Sequence, residues 1–237
     1  MSNCLTQACF IKKQSSMGLI TTSTDGHFTF WNLTSVLEPF YASSSPSTLT
    51  IKQPLTATAT TTTPAVISCE SRYQIHSNSI KSLELAHVSE TTSLVIAGGD
   101  DNALTLSLLD VLVSDPDSDS LPESNAHVQV HTVSIPDAHA ASVTTVKIVE
   151  QSGPHVNANG NAVTDLVVAS SGNDHRVKIW SVRVDNTKSG PDAINIQNLI
   201  DHYSPVADIS SLDVIQGADR ELKLLVCGVG MELVRVK

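Results

Sequence analysis

The sequence predicts an all-β fold assembled from repeated units of about four strands, and three observations predict it. Short runs rich in Val, Ile, Leu and Thr alternate with Gly, Asp, Asn, Ser and Pro along the chain, which is the texture of strands and tight turns. A strand–turn–strand pattern recurs four times. A His-led segment recurs at fixed spacing, and no stretch shows the i, i+3, i+4 apolar spacing of an amphipathic helix.

The clearest strands are residues 94–97, 143–149, 166–169, 177–180 and 222–227. Internal repetition organises them. Three segments open alike: His76-Ser-Asn-Ser-Ile-Lys-Ser-Leu, His139-Ala-Ala-Ser-Val-Thr-Thr-Val and His202-Tyr-Ser-Pro-Val-Ala-Asp-Ile, with 63 residues from each His to the next. Each His is followed at the fourth position by a β-branched residue and an alternating strand. A second pattern joins an apolar strand, a cluster of small residues, an Asp turn and another strand. It runs from Gly18 through Asp25 to Trp31, from Leu94 through Asp101 to Leu106, and from Leu166 through Asp174 to Trp180. The chain ends on a degraded copy, from Leu224 to Val236, in which Gly228-Val-Gly230 reads as a turn.

Bulk properties bound the function. The 237 residues suffice for one or two domains with a sizeable core. Hydrophobic residues make up 41% and charged residues 16%, a globular composition rather than that of a disordered chain. Lys plus Arg number 14 against 24 Asp plus Glu, for a formal charge of −10. Such a surface repels phosphate backbones and argues against nucleic-acid binding by this chain alone. Cys4, Cys9, Cys69 and Cys227 form no C-x-x-C pair, so zinc-knuckle and redox-dithiol readings lose their basis and a reducing compartment is favoured. Lys12 and Lys13 follow the first apolar stretch, the reverse of a secretory signal. No apolar run approaches the roughly 18 residues of a membrane span. The expectation is a cytoplasmic protein with no membrane partner.

The repeat spacing exceeds the roughly 40–45 residues of a minimal four-stranded blade, and polar insertions account for the excess. Residues 43–63 hold 12 Ser or Thr among 21 residues together with Pro46 and Pro54, and read as a disordered insertion. Residues 114–124 form an acidic Ser/Asp/Pro loop, and residues 151–162 a Gly/Asn-rich loop between strands.

The third copy resembles the WD-repeat β-propeller family through His139, Ser170, Asp174 and Trp180. That family joins a His ahead of the first strand, a Ser or Thr on the second, an Asp in the next turn and a Trp on the third. The resemblance implies a buried chain in which the Trp N–H donates to Ser, Ser to His and His to Asp, so that each polar group is satisfied. Thr21, Asp25 and Trp31 match in the first copy, whose His would precede the start of the chain. The second copy keeps His76 and Asp101 but has Ala97 and Ser107 where the hydroxyl and the Trp are expected, which breaks its network. The fourth has His202 and no Asp turn. Residues 1–237 thus read as the carboxy-terminal part of an incomplete propeller. It has about three full four-stranded blades and a partial fourth, begins inside a blade, and forms an open arc.

Residues 73–237 further resemble the carboxy-terminal end of the large WD-repeat proteins that regulate tRNA wobble-position (34) 2′-O-methyltransferases. The stretches that carry this are His139 to Ile148, Ser170 to Trp180, and an ending in which Pro205-Val-Ala-Asp-Ile-Ser-Ser-Leu-Asp leads to Cys227-Gly-Val-Gly-Met-Glu-Leu. The resemblance implies a non-catalytic scaffold. Its protein partner would be the methyltransferase, tRNA would be engaged only within the complex, and the methyl donor would belong to the partner. No catalytic residue, cofactor, metal or small-molecule substrate is carried over. The alternative is a generic WD-repeat interaction scaffold, including a substrate receptor of a cullin-type ubiquitin ligase. Trp180-Ser-Val-Arg183 resembles that group's Trp-Asp-x-Arg box, with Ser181 in place of Asp.

Other constellations have plainer readings. His127 and His131 lie about 13 Å apart on a strand, too far for one ion. Asp115, Asp117 and Asp119 imitate a calcium loop but lack its Gly and its bidentate Glu. His139, Ser170 and Asp174 lack a nucleophile elbow and are better placed as blade cement than as a hydrolase triad.

Overall fold

The computed structural model describes residues 3–13, 16–34, 36–37, 67, 69–112, 127–157, 160–216 and 222–236. The Ser/Thr-rich insertion at 43–63 and the acidic loop at 114–124 lie outside the described residues.

Four antiparallel sheets follow one another in chain order. The first contains β1 (Leu5–Lys13), β2 (Ser16–Ser23), β3 (His27–Asn32) and β4 (Cys69–Gln74). In the second are β5 (Ile80–His87), β6 (Thr92–Gly99), β7 (Leu104–Leu112) and β8 (His127–Ile135). The third pairs β9 (Val143–Gln151), β11 (Ala162–Gly172), β12 (Arg176–Asp185) and β13 (Ile194–Tyr203), with β10 (His155–Val156) added to β11. Sheet four is built from β14 (Ala207–Gln216) and β15 (Leu222–Arg235), the latter folding back on itself.

Burial explains the apolar runs. The sheets stack face to face, so the middle ones are covered on both sides and their strands need not alternate with polar residues. β6 is buried along nearly its whole length. Ile11, Ile20, Phe28 and Phe30 of the first sheet pack on Leu83, Val95, Ala97 and Leu109 of the second. Leu94, Ile96, Leu104 and Leu106 of the second pack on Val146, Val168, Trp180 and Val182 of the third. Val149, Ala169, Val177 and Ile179 of the third meet Ile209, Leu212, Leu224 and Val226 of the fourth. Each fully buried Leu or Ile contributes about 1.5–3 kcal/mol relative to an exposed one.

The leading strands stand side by side, β1 beside β5, β5 beside β9 and β9 beside β14. Side chains tie them together: Ser82 Oγ accepts from the Val146 N–H at 3.0 Å, and the Thr145 hydroxyl donates to the Ser210 carbonyl at 3.2 Å. Lys147 bridges Glu84 at 3.2 Å and Asp213 at 3.8 Å across three sheets. This is an incomplete all-β propeller, and closure of the ring is not seen among the described residues.

Two details depart from the sequence reading, and one turn agrees with it. The first sheet holds four strands beginning with β1, where the sequence reading has the chain begin inside a blade. Gly228-Val-Gly230 forms the turn read from the sequence: Gly230 has a φ of 115° and the chain folds back on itself within β15, so that the Val236 N–H donates to the Leu222 carbonyl at 3.1 Å. The loop at 151–162 carries β10, whose His155 and Val156 pair with Val163 and Ala162 and lengthen the hairpin.

Candidate functional site

The third sheet brings His139, Ser170, Asp174 and Trp180 together. The β11–β12 ladder pairs Val168 with Trp180 and Ser170 with Lys178, which sets the indole on the same face as the Ser170 hydroxyl. Trp180 Nε1 donates to Ser170 Oγ at 2.8 Å, and Ser170 Oγ lies 2.8 Å from His139 Nε2. His139 Nδ1 lies 3.0 Å from Asp174 Oδ1. The consistent assignment is Nδ1–H donating to the carboxylate and Nε2 accepting from Ser170. His139 is 1% and Ser170 0% exposed, so the hydroxyl of this triad-like set is closed to substrate.

Asp174 also fixes the backbone on both sides, accepting from the Ala140 N–H at 2.8 Å and the Arg176 N–H at 3.1 Å. Gly172 is required here: a Cβ would stand 2.8 Å from both His139 Nδ1 and Asp174 Oδ1. Burial pushes the Asp174 carboxyl up, but the hydrogen bonds from Ala140, His139 and Arg176 outweigh it and hold the group below the usual carboxylate range. Burial pulls His139 below the ordinary histidine value despite the opposing hydrogen bond and charge of Asp174.

In the second sheet the expectation of a broken network is overturned. His76 Nδ1 lies 2.7 Å from Asp101 Oδ1, and His76 Nε2 lies 3.0 Å from Thr105 Oγ1. Thr105 sits on β7 directly opposite Ala97 on β6, so its hydroxyl projects on the face where Ala97 offers none. Ser107, at the position of the missing Trp, bonds Thr132 at 2.8 Å instead. Asp101 repeats the staple of Asp174, accepting from the Ser77 N–H at 2.7 Å and the Ala103 N–H at 3.3 Å. Burial raises its carboxyl, and the bonds from His76, Ser77 and Ala103 bring it below the usual range.

The first sheet keeps half of the arrangement. Trp31 Nε1 donates to Thr21 Oγ1 at 2.9 Å. Asp25 is engaged by Ser23 Oγ at 2.5 Å, by Asn3 and by the Arg72 guanidinium from β4. The Ser23 bond, outweighing burial and aided by Arg72, holds its carboxyl low.

The fourth copy corrects the register. After each Asp turn, a residue with positive φ presents its carbonyl to the start of the next sheet: Gly26 (79°), Asn102 (64°) and His175 (59°). These carbonyls accept from the N–H groups of His76, His139 and Ser204 respectively. Ser204 therefore occupies the His position. His202, assigned by the 63-residue spacing, lies two residues early, on β13, and its Nε2 meets Glu232 of β15 at 3.0 Å.

A cleft of about 580 Å³ opens above the His139–Asp174 pair, lined by Asn102, Asp137, Arg176, Lys178 and Asp201 among others. Its charges are largely self-paired: Asp201 lies 3.4 Å from Arg176 and 3.6 Å from Lys178. No group of three or more metal-ligating side chains occurs among the described residues. Arg183 of the Trp180–Arg183 box is paired with Asp165 at 2.7 Å. No helix among the described residues is long and apolar enough to cross a membrane, which does not bear on β-barrels.

Thr105, Arg72 and Ser204 escaped sequence reading. A signal for Thr105 was present, since a hairpin centred on Asp101 places residues 97 and 105 opposite one another.

Fold and network together define an incomplete propeller whose polar centres are internal fastenings. No protein-family model matches the chain, and no curated protein matches it. Among solved structures, Raptor from Chaetomium thermophilum is similar, with a TM-score of 0.45 and 14% identity over 99% of this chain. The chain spans 17% of the length of that protein.

Proposed function

We propose that this chain is a non-catalytic interaction scaffold, and specifically part of a regulatory subunit assisting 2′-O-methylation of the tRNA wobble nucleotide by a partner methyltransferase. The observation that carries the scaffold reading is the fate of the most reactive-looking side chains. His139, Ser170 and Asp174 are consumed in one another's hydrogen bonds, with the hydroxyl and the imidazole buried. What remains to a partner is surface, including the polar cleft beside Arg176 and Asp201. The acidic balance of the chain favours a protein as first partner, with tRNA held through the complex. The specific reading rests on the resemblance of residues 73–237, above all the ending from Pro205 to Leu233.

The test is mass spectrometry of tRNA nucleosides from cells lacking the gene. Selective loss of 2′-O-methylation at the wobble position, with other anticodon-loop modifications intact, is the expected result. Unchanged wobble methylation sinks the specific reading. Capture of a cullin adaptor by the tagged chain then becomes the deciding measurement for the receptor alternative.

A further inference from the structure

The cleft above His139 and Asp174 lies between the two middle sheets, with one wall at the connection from β8 to β9 and the other on β12 and β13. Asp137 stands on the first wall. It is exposed, and its carboxylate has no ion pair or hydrogen bond among the described residues. Arg176, Lys178 and Asp201 stand on the second wall, where two cations share one carboxylate. The sharing is loose. Arg176 lies 3.4 Å and Lys178 3.6 Å from Asp201, whereas Arg183 meets Asp165 at 2.7 Å on the same sheet. A guanidinium carries five N–H donors, and among the described residues Arg176 engages one of them, in the long bond to Asp201. Packing steadies the group: it sits 5.7 Å from the centre of the Tyr203 ring, which itself stacks on His175 at 6.1 Å. Asp174, on the floor, has its oxygens occupied by His139 and by the N–H groups of Ala140 and Arg176. The cleft therefore offers unspent donors on one wall and an unspent acceptor on the other, both held by rigid elements.

We propose that this cleft docks an extended segment of a partner protein, in which an acidic side chain takes the guanidinium of Arg176 and a basic side chain two residues away takes the carboxylate of Asp137. The inference rests on the scaffold reading above and names the chemistry of the partner. Charge complementarity selects a polypeptide as the occupant. A phosphate backbone supplies negative charge alone and would meet Asp137 unpaired, whereas a polypeptide supplies both signs. The dimensions agree: side chains two apart on an extended segment point the same way about 7 Å apart, and a cleft of 580 Å³ is about 10 Å across if round. The fixed guanidinium lowers the ordering cost of binding, and an Arg beside an exposed Tyr is the composition of an interface anchor.

Selection of a displayed library of random peptides on the full 237-residue chain tests this. The expected result is enrichment of Asp or Glu two residues from Lys or Arg. An enriched peptide is expected to bind about tenfold more weakly to Asp137→Asn and to Arg176→Gln, each with unchanged far-ultraviolet circular dichroism. Asp137→Asn removes the charge at a φ of 52°, which Asn tolerates as Asp does. Arg176→Glu reverses one wall, and the peptide whose acidic residue is changed to Lys is expected to bind this variant more tightly than it binds the parent chain. Enrichment of no peptide overturns the proposal, as does binding indifferent to both Asp137→Asn and Arg176→Gln. A preference for purely acidic peptides also overturns it, since Asp137 would then take no part. The tRNA nucleoside measurement is independent of these outcomes. Lost wobble methylation with no enriched peptide sinks the docking site alone, and mixed-charge peptides bound at the cleft with unchanged wobble methylation uphold the site while the specific reading fails.

Discussion

In the third sheet, Ser170 on the second strand takes the Trp180 N–H and donates its own hydrogen to His139. In the second sheet, Ala97 holds that position, and Thr105 reaches His76 from directly across the ladder. Both histidines are buried, both are capped by the turn Asp, and both keep Nε2 satisfied. The two sheets differ in what their hydroxyl does. Ser170 serves two partners, His139 and Trp180. Thr105 serves His76, and Ser107 turns to Thr132. What the burial demands is a satisfied imidazole rather than a particular residue at a particular place.

This comparison can be broken most severely at the turn. Asp174→Ala leaves His139 Nδ1 and two backbone N–H groups without their acceptor, and about 3 kcal/mol of stability is expected to be lost in urea denaturation. Ser170→Ala should cost about 2–3 kcal/mol, because the Trp180 N–H and His139 Nε2 lose their partner at once. Thr105→Val, nearly isosteric, orphans only His76 Nε2 and should cost about 1–2 kcal/mol. If Thr105→Val is silent, the 3.0 Å contact contributes nothing and the second network is broken as its sequence suggested. Adding Ala97→Ser to Thr105→Val moves the hydroxyl to the third-sheet position and is expected to recover roughly half of that loss, about 0.5–1 kcal/mol.

The smallest effect is with pH. Burial depresses His139 below its ordinary value of 6.5, so below that pH the unfolded chain binds a proton that the folded chain resists. Stability is therefore fully present above the ordinary value and declines as pH falls beneath it. A further decline is expected as pH drops through the lowered carboxyl values of Asp174 and Asp101. In His139→Gln, the first decline should be shallower than in the parent, as measured by denaturation midpoints between about pH 7.5 and 5.

The all-β class and the third-sheet quartet were legible because they depend on local spacing. Ser170, Asp174 and Trp180 lie within one hairpin, and hairpin geometry converts separations of four and six residues into contacts. The missing elements depend on register across strands. Ser204 could not be distinguished from His202 by counting, because loop lengths between sheets are free to vary by two residues while the backbone bond from His175 is not. The turn at Gly228 to Gly230, by contrast, was legible, because glycine marks reversals that need positive φ and Gly230 takes a φ of 115° there. Gly228 also lies close to β14, where a Cβ would stand 2.4 Å from the Ala207 carbonyl oxygen. Arg72 lies 47 residues from Asp25, beyond an insertion, and only the sheet brings them together.

The carbonyls of Gly26, Asn102 and His175 have a consequence for how the molecule comes apart. Each belongs to the turn of one sheet and holds the segment that leads into the next, so no sheet can lose its turn without loosening its successor. Stability along such a chain behaves as a row of nearest-neighbour couplings. Amide hydrogen exchange should accordingly be slowest at the junction of the second and third sheets, which have neighbours on both sides, and should quicken towards β1 and β15. The molecule would open from its ends like an unclasped bracelet, one link freeing the next.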